Sequence, residues 1–299
     1  MRPRPARAGS ASSGACVFLL AFLLALGLAS AARAQIAPPE VVSRTVLPGA
    51  WTAPGPAAEA ADRTGKRCMA SAARGALRFS TRVGDAWIGE VVDSSASDAR
   101  NVSLVFADSE SPAGEAHVVY YDGSARALRE GVRVARPGGR TGWVVYTIDG
   151  SADMGSFRSV AFVRKHLGVA YFDATHHALR YAEDVHCHRW ATDLVDDEGD
   201  VGRFCALAFD AKGAPRISYF DSTSRTVRVA MRSGTRWYIT PAVAGAGQQA
   251  RESSIAVVMP DSVVHVTCRD PASARTWEVA LAPPHGAPPP PDAAGRVRR

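Results

Sequence analysis

Between residues 51 and 281 the chain alternates short apolar runs with clusters of Gly, Asp and Ser, and the whole pattern recurs about every fifty residues. Residues 205–244 show one unit most cleanly. Cys205 to Phe209 is followed by the turn Asp210-Ala211-Lys212-Gly213 and then by Arg216-Ile217-Ser218-Tyr219-Phe220. After Asp221-Ser222-Thr223-Ser224 come Thr226 to Met231, the turn Ser233-Gly234-Thr235 and a run opened by Trp237. Four runs rich in Val, Ile, Tyr, Phe and Trp, punctuated by turn formers, predict an antiparallel meander of four strands.

The repeat is marked by Tyr120-Tyr121-Asp122, Tyr171-Phe172-Asp173, Tyr219-Phe220-Asp221 and Cys268-Arg269-Asp270, whose aspartates stand 51, 48 and 49 residues apart. Trp143, Trp190 and Trp237 keep the same beat at 47 and 47, with Trp87 upstream. A period of this length predicts an all-β propeller in which each meander is one blade. The units run over 51–93, 102–149, 158–196, 205–244 and 254–281. The last lacks a fourth strand, and Val41 to Leu47 resembles the fourth strands of the other units. That N-terminal strand is therefore expected to complete the last blade and close a five-bladed ring, which removes open sheet edges. One segment conflicts: Glu59 falls where Leu207 aligns, and a carboxylate between blades is costly without a partner. The first blade is expected to be loose or degenerate there.

Residues 1–34 carry Arg2, Arg4 and Arg7, an apolar stretch from Val17 to Leu28, and Ala32-Arg33-Ala34. This is the layout of a secretory signal cleaved near Ala34, so the protein is expected outside the cytoplasm, secreted or periplasmic, with the propeller over 35–282. The apolar stretch is short for a bilayer span. From residue 283 the Pro-rich basic tail has too few apolar residues to pack and is expected to be extended or disordered. The formal charge of +6 comes from the ends: without Arg2, Arg4, Arg7, Arg33, Arg296, Arg298, Arg299 and Asp292, 28 basic residues face 28 acidic ones. The remaining arginines are scattered, which argues against a nucleic-acid partner.

Cys68, Cys187, Cys205 and Cys268 remain after cleavage, and an oxidising compartment permits bridges. Cys68 with Cys268 is the favoured pair, because both fall in second strands of blades that ring closure makes neighbours. His176-His177 and His186-Cys187-His188 suggest a metal, but a strand of roughly 20 Å separates the pairs. His186, Cys187 and His188 could hold zinc only with a ligand from elsewhere, so no metal site is assigned. The sequence assembles no ligand set for calcium and no other cofactor motif.

The aspartates are the most systematic polar feature. Asp122, Asp173, Asp221 and Asp270 end second strands, while Asp93, Asp149 and Asp196 end fourth strands, all at one face of the disc. They are candidate ligand-binding groups, although a residue repeated in every blade reads first as a turn former whose side chain caps backbone amides. No catalytic residue is assigned. There is no Gly-x-Ser-x-Gly elbow, phosphate loop, His-Glu-x-x-His or Cys-x-x-Cys. The segments before Trp87 and Trp237 keep a sialidase-like turn and tryptophan but lack the Ser-x-Asp-x-Gly-x-x-Trp box.

The run Gly213-Ala214-Pro215-Arg216-Ile217-Ser218-Tyr219-Phe220-Asp221, followed by Val227-Arg228-Val229-Ala230 and Trp237, resembles repeats of uncharacterised secreted bacterial β-propeller proteins. Ala178-Leu179-Arg180-Tyr181-Ala182 with Trp190 fits the same pattern. The resemblance covers 57–281 and implies the fold without an activity. The chain is also distantly similar to sugar-binding propeller lectins, and no lectin site transfers residue by residue. Two functions are expected from these features. One is a noncatalytic module binding a glycan or an extracellular protein. The alternative is a glycan-cleaving hydrolase drawing two carboxylates from the aspartate face. Tyr120, Tyr121, Tyr171, Phe172, Tyr219 and Phe220 are expected to pack between blades.

Overall fold

The computed structural model describes residues 36–37, 41–47, 57–73, 75–107, 113–163, 166–243, 252–258, 263–269, 276–283 and 285–286. The signal segment and most of the tail lie outside them. Two units are resolved by their contacts. In the smaller, the strand Ile36–Ala37 pairs antiparallel with His285–Gly286.

The larger unit holds five antiparallel four-stranded sheets. Sheet 1 comprises Ala57–Ala61, Arg67–Ala73, Ala76–Val83 and Ala86–Asp93; sheet 2 comprises Ala99–Ala107, Glu115–Asp122, Ala127–Arg136 and Arg140–Asp149. Sheet 3 comprises Met154–Val163, His166–Asp173, Ala178–His186 and Arg189–Asp196; sheet 4 comprises Val201–Phe209, Pro215–Asp221, Thr226–Ser233 and Arg236–Val243. Sheet 5 comprises Glu252–Val258, Val263–Arg269 and Thr276–Leu281, and its fourth strand is Val41–Leu47, paired with Thr276–Leu281. First strands of successive sheets lie against one another from sheet 1 through sheet 5.

The second strands of sheets 2, 3 and 4 are buried along nearly their whole length, as in Pro215–Asp221, whereas those of sheets 1 and 5 alternate. This explains why the first three read as continuous apolar runs, since both faces of the sheet are covered by neighbours. Separate apolar clusters fill the spaces between sheets. Leu77, Phe79, Val118 and Tyr120 lie between sheets 1 and 2, Leu128, Val169 and Tyr171 between 2 and 3, Tyr181, Ile217 and Tyr219 between 3 and 4, and Phe220, Val229, Val266 and Trp277 between 4 and 5. All six aromatics of the second-strand motif are buried. Each buried ring contributes about 1.5–3 kcal/mol, so the inter-sheet layers carry the stability.

Two expectations about side chains are corrected. Glu59 is exposed, and its Oε2 pairs with Arg67 Nη2 at 2.5 Å, while Ala58 and Ala60 turn to the core. Strand alternation places the charge outward, so the sheet keeps its first strand without burying a carboxylate. No disulfide joins Cys68, Cys187, Cys205 and Cys268. Cys68 packs in the layer between sheets 1 and 2 and Cys268 in that between sheets 4 and 5, so the favoured pair faces different cores.

Candidate functional site

The aspartate face resolves into a repeated internal latch. At the end of the fourth strand in sheets 1, 2 and 3 the pairing skips one residue immediately before Asp93, Asp149 and Asp196. Such a bulge re-aims a side chain. Each carboxylate then accepts a hydroxyl hydrogen bond from the next sheet: Tyr120 to Asp93 Oδ2 at 2.5 Å, Tyr171 to Asp149 Oδ2 at 2.7 Å, Tyr219 to Asp196 Oδ2 at 2.6 Å. An arginine of the third strand joins each latch to the aspartate that ends the second strand. Arg129 lies 3.0 Å from Asp122, Arg180 2.9 Å from Asp173 and Arg228 2.6 Å from Asp221.

The candidate ligand groups Asp122, Asp173 and Asp221 are themselves buried. Asp122 Oδ1 accepts the amides of Ser124 and Ala125, Asp173 Oδ1 those of Thr175 and His176, and Asp221 Oδ1 those of Thr223 and Ser224. Asp270 lies outside the described residues. Burial alone would raise the Asp173 pKa, but the His176 amide and imidazole and Arg180 outweigh it and hold it below the usual value. Burial likewise acts against ionised Asp93, and Ser95, Tyr120 and Arg129 overcome it. His176 and His177 turn to Asp173 and Asp200, at 2.8 and 3.1 Å.

The opposite ends of the strands carry open space instead. A cleft of about 490 Å³ lies between sheets 1 and 2, lined by Phe79, Glu90, Phe106, Glu115 and Arg133. Arg133 Nη2 meets Glu90 Oε1 at 2.5 Å, the Trp143 indole donates to Glu90 Oε2 at 3.0 Å, and the Phe79 ring stands 5.2 Å from that indole. Between sheets 3 and 4 a cleft of about 340 Å³ is lined by Glu183, Asp184, Phe209, Lys212 and Arg232. Arg232 Nη2 meets Glu183 Oε2 at 2.7 Å, and the Trp237 indole faces Asp193 Oδ2 at 3.4 Å. Tyr181 lies edge-on to Trp237, with the Arg232 guanidinium over its ring. Arg133 and Arg232 are repeat equivalents, each paired with the tryptophan of its fourth strand, Trp143 or Trp237.

Between these clefts, at the boundary of sheets 2 and 3, the arginine position is held by Asp184 and a different cluster forms. Glu130 stands at the third-strand position that sheets 1 and 3 fill with Phe79 and Tyr181, and is fully buried. Its Oε1 lies 2.7 Å from His117 Nδ1, and its Oε2 lies 3.1 Å from His188 Nδ1. Burial works against ionised Glu130, but both imidazoles hold its pKa below the usual value. Burial also works against charged His117, yet Glu115 and Glu130 push its pKa up to about 9. The Tyr146 ring stacks on His188 at 4.4 Å.

Sequence reasoning missed the arginine clefts and this cluster. Glu130 carried little signal, because its position holds Phe79 and Tyr181 in sheets 1 and 3 but Val229 and Glu278 in sheets 4 and 5. His117 carried none, because the same position holds Cys68, Gly168, Arg216 and His265 in the other units. Trp87 keeps the register of the other tryptophans, opposite Arg82 as Trp143 is opposite Arg133 and Trp237 opposite Arg232, and it is exposed on the outer strand of sheet 1.

No protein-family model matches the chain, and no curated protein matches its sequence. Solved structures do. An arginine-to-alanine triple mutant of AofleA from Arthrobotrys oligospora superposes with a TM-score of 0.51 at 12% identity, covering 76% of this chain and 70% of that one. The lectin of Aleuria aurantia, described as a six-bladed β-propeller with a novel fucose recognition mode, matches with a TM-score of 0.47 at 17% identity over 76% of both chains. A PL25 ulvan lyase matches with a TM-score of 0.49 at 10% identity, over 78% and 70%. At such identities the likeness concerns the fold alone.

Proposed function

We propose that this chain is an exported, noncatalytic β-propeller of five blades, closed through its N-terminal strand, that binds a glycan in the clefts between adjacent sheets. The observation that carries the reading is the recurrence of one constellation, a guanidinium bridged to a carboxylate beside aromatic rings, at the two repeat-equivalent clefts. Sugar hydroxyls both donate and accept, so a carboxylate and an arginine held side by side can satisfy a vicinal pair. The apolar face of a pyranose meanwhile packs on an aromatic edge. The clefts are half open, and Arg133 and Glu90 keep about a third of their side chains exposed, at 29% and 32%.

The hydrolytic alternative draws on a specific feature, since Glu183 and Asp193 both face Arg232, at 2.7 and 3.5 Å. Binding is preferred because a shared guanidinium orients hydroxyls, whereas hydrolysis needs a carboxyl that hands over a proton. A glycan array followed by calorimetry on the best ligand tests both readings, with reducing-sugar release measured on the same samples. Selective binding weakened at least tenfold by Arg133→Ala or Arg232→Ala supports the proposal. A blank array, or binding indifferent to both substitutions, refutes it, and sugar release moves the assignment to the hydrolase.

A further inference from the structure

The second motif that suggested a metal, His186-Cys187-His188, lacked a ligand from elsewhere in the chain. The fold supplies two. His117 and Glu130 project from the second and third strands of sheet 2 toward the hairpin that joins the third and fourth strands of sheet 3. One donor atom from each of His117, Glu130 and His188 lies within 4.8 Å of the others. We propose that His117, Glu130 and His188 form a binding site for a divalent transition metal of the zinc class, spanning sheets 2 and 3.

The donor set fits that chemistry. Two imidazoles and one carboxylate suit zinc and its first-row neighbours better than calcium or magnesium, which take oxygen ligands. Bond lengths of about 2.0–2.2 Å in tetrahedral geometry set ligand atoms roughly 3.4 Å apart. Nδ1 of His117 and Nδ1 of His188 already sit 2.7 and 3.1 Å from the two Glu130 oxygens, so shifts of about 1 Å admit the ion. Three protein donors leave a fourth position for water or an incoming ligand.

Three further features point the same way. His117 is 4% exposed, and its Nε2 has no hydrogen-bond partner, with Glu115 Oε2 standing off at 3.5 Å. A carboxylate behind the distal nitrogen is the usual outer partner that fixes the ring of a metal-bound histidine. His188 is held by backbone geometry that glycine normally supplies. Cys187 and His188 take φ of 48° and 61°, where the corresponding hairpins of sheets 1 and 4 place Gly84 and Gly234 in the left-handed region. Non-glycine residues persist in that region where the surroundings enforce it, commonly at functional sites. Here Asp184 enforces it by accepting the amides of His186 and His188. Sheet 5 provides an internal comparison. His265 Nδ1 and Glu278 Oε1, repeat equivalents of His117 and Glu130, are also 2.7 Å apart. Among the described residues no second histidine joins them into a metal-binding group.

The test is a calorimetric titration of chelator-stripped protein with zinc chloride, repeated with cobalt chloride and read by visible and near-ultraviolet absorption. One equivalent should bind with micromolar or tighter affinity, and cobalt should give d–d bands without a thiolate charge-transfer band. His188→Ala, at a half-buried turn position, should weaken binding at least about 100-fold. Glu115→Gln should cost about 10–100-fold, as loss of an outer partner does. Cys187→Ser and His265→Ala should bind as the unsubstituted protein does. Glu130→Gln, which keeps the side-chain shape, is the second ligand variant, and each variant is compared at matched near-ultraviolet circular dichroism. The proposal falls if the unsubstituted protein takes up no zinc, if binding survives His188→Ala, or if Cys187→Ser abolishes it or cobalt shows a thiolate band.

Discussion

Removing one hydroxyl should separate a structural role for the aspartate face from a ligand-binding one. In Tyr171→Phe the ring stays and no cavity opens, but Asp149 Oδ2 loses the hydrogen bond donated by the phenol at 2.7 Å. Asp149 Oδ1 keeps the Ser151 amide and hydroxyl at 3.0 and 2.8 Å, and the nearest remaining charge to Oδ2 is Arg180 at 3.9 Å. Both latch partners are buried, so water cannot replace the lost donor cheaply. A hydrogen bond to a charged buried group contributes about 1.5–3 kcal/mol, which sets the expected destabilisation near 2 kcal/mol. For a domain of this size that lowers the melting temperature by roughly 4–8 °C. Tyr121→Phe is the matched control, because its hydroxyl meets the partly exposed Asp153, which water can solvate, and it should cost less than about 1 kcal/mol. Urea unfolding of the two single variants, with Asp149→Asn and the Tyr171→Phe/Asp149→Asn pair completing a double-mutant cycle, measures the coupling directly. A Tyr171→Phe protein within about 0.5 kcal/mol of the parent would refute the latch, and with it the claim that these aspartates hold neighbouring sheets together.

Other consequences of the same burial can be read without a ligand. Tyr120, Tyr171, Tyr181 and Tyr219 have pKa values raised by burial and by neighbouring carboxylates, and the same effects push Tyr121 up to about 12. A folded-state pKa above the unfolded value gives stability that is full below about pH 10 and lost as pH rises above it. Tyrosinate absorbance should therefore rise cooperatively with alkaline unfolding, and a gradual titration with all seven tyrosines ionising near pH 10 would contradict the structure. At the acid end, the lowered pKa values of Asp62, Asp93 and Asp173 mean stability present above about pH 4 and lost as pH falls through the folded values, observable as an acid limb in the melting temperature. A thiol assay should find Cys187 reacting at once, and Cys68, Cys205 and Cys268 only after denaturation, since the last three are buried. Gly168→Ala should destabilise by about 1–3 kcal/mol, because a Cβ there meets Phe209 Cζ at 2.6 Å and Tyr181 Oη at 2.8 Å.

What the sequence disclosed and what it withheld divide along a physical line. Strand order within the five four-stranded sheets and the pairing of Val41–Leu47 with the fifth were legible because alternation and turn chemistry are local, and the repeat averaged out the noise of any one unit; the two-stranded pairing of Ile36–Ala37 with His285–Gly286 was not. The aspartate turns were legible for the same reason, since an Asx cap bonds backbone two or three residues ahead. Partners across a sheet boundary were not. Tyr120 finds Asp93 across 27 residues, Arg133 finds Glu90 across 43, and His188 finds Glu130 across 58, distances at which periodicity predicts neighbourhood but not which side chains meet. The favoured Cys68–Cys268 bridge failed at that step: both residues were placed on second strands, yet the pairing Cys68↔Thr81 against Cys268↔Trp277 sets them at different heights, in different inter-sheet layers. The informative residues were the ones that depart from the repeat. Asp184 replaces the cleft arginine and Cys187 a turn glycine, and both departures lie at the boundary where His188 meets Glu130. A repeat fold needs neither for packing, which is why we place a specific chemistry at that boundary rather than at the regularly repeated aspartates.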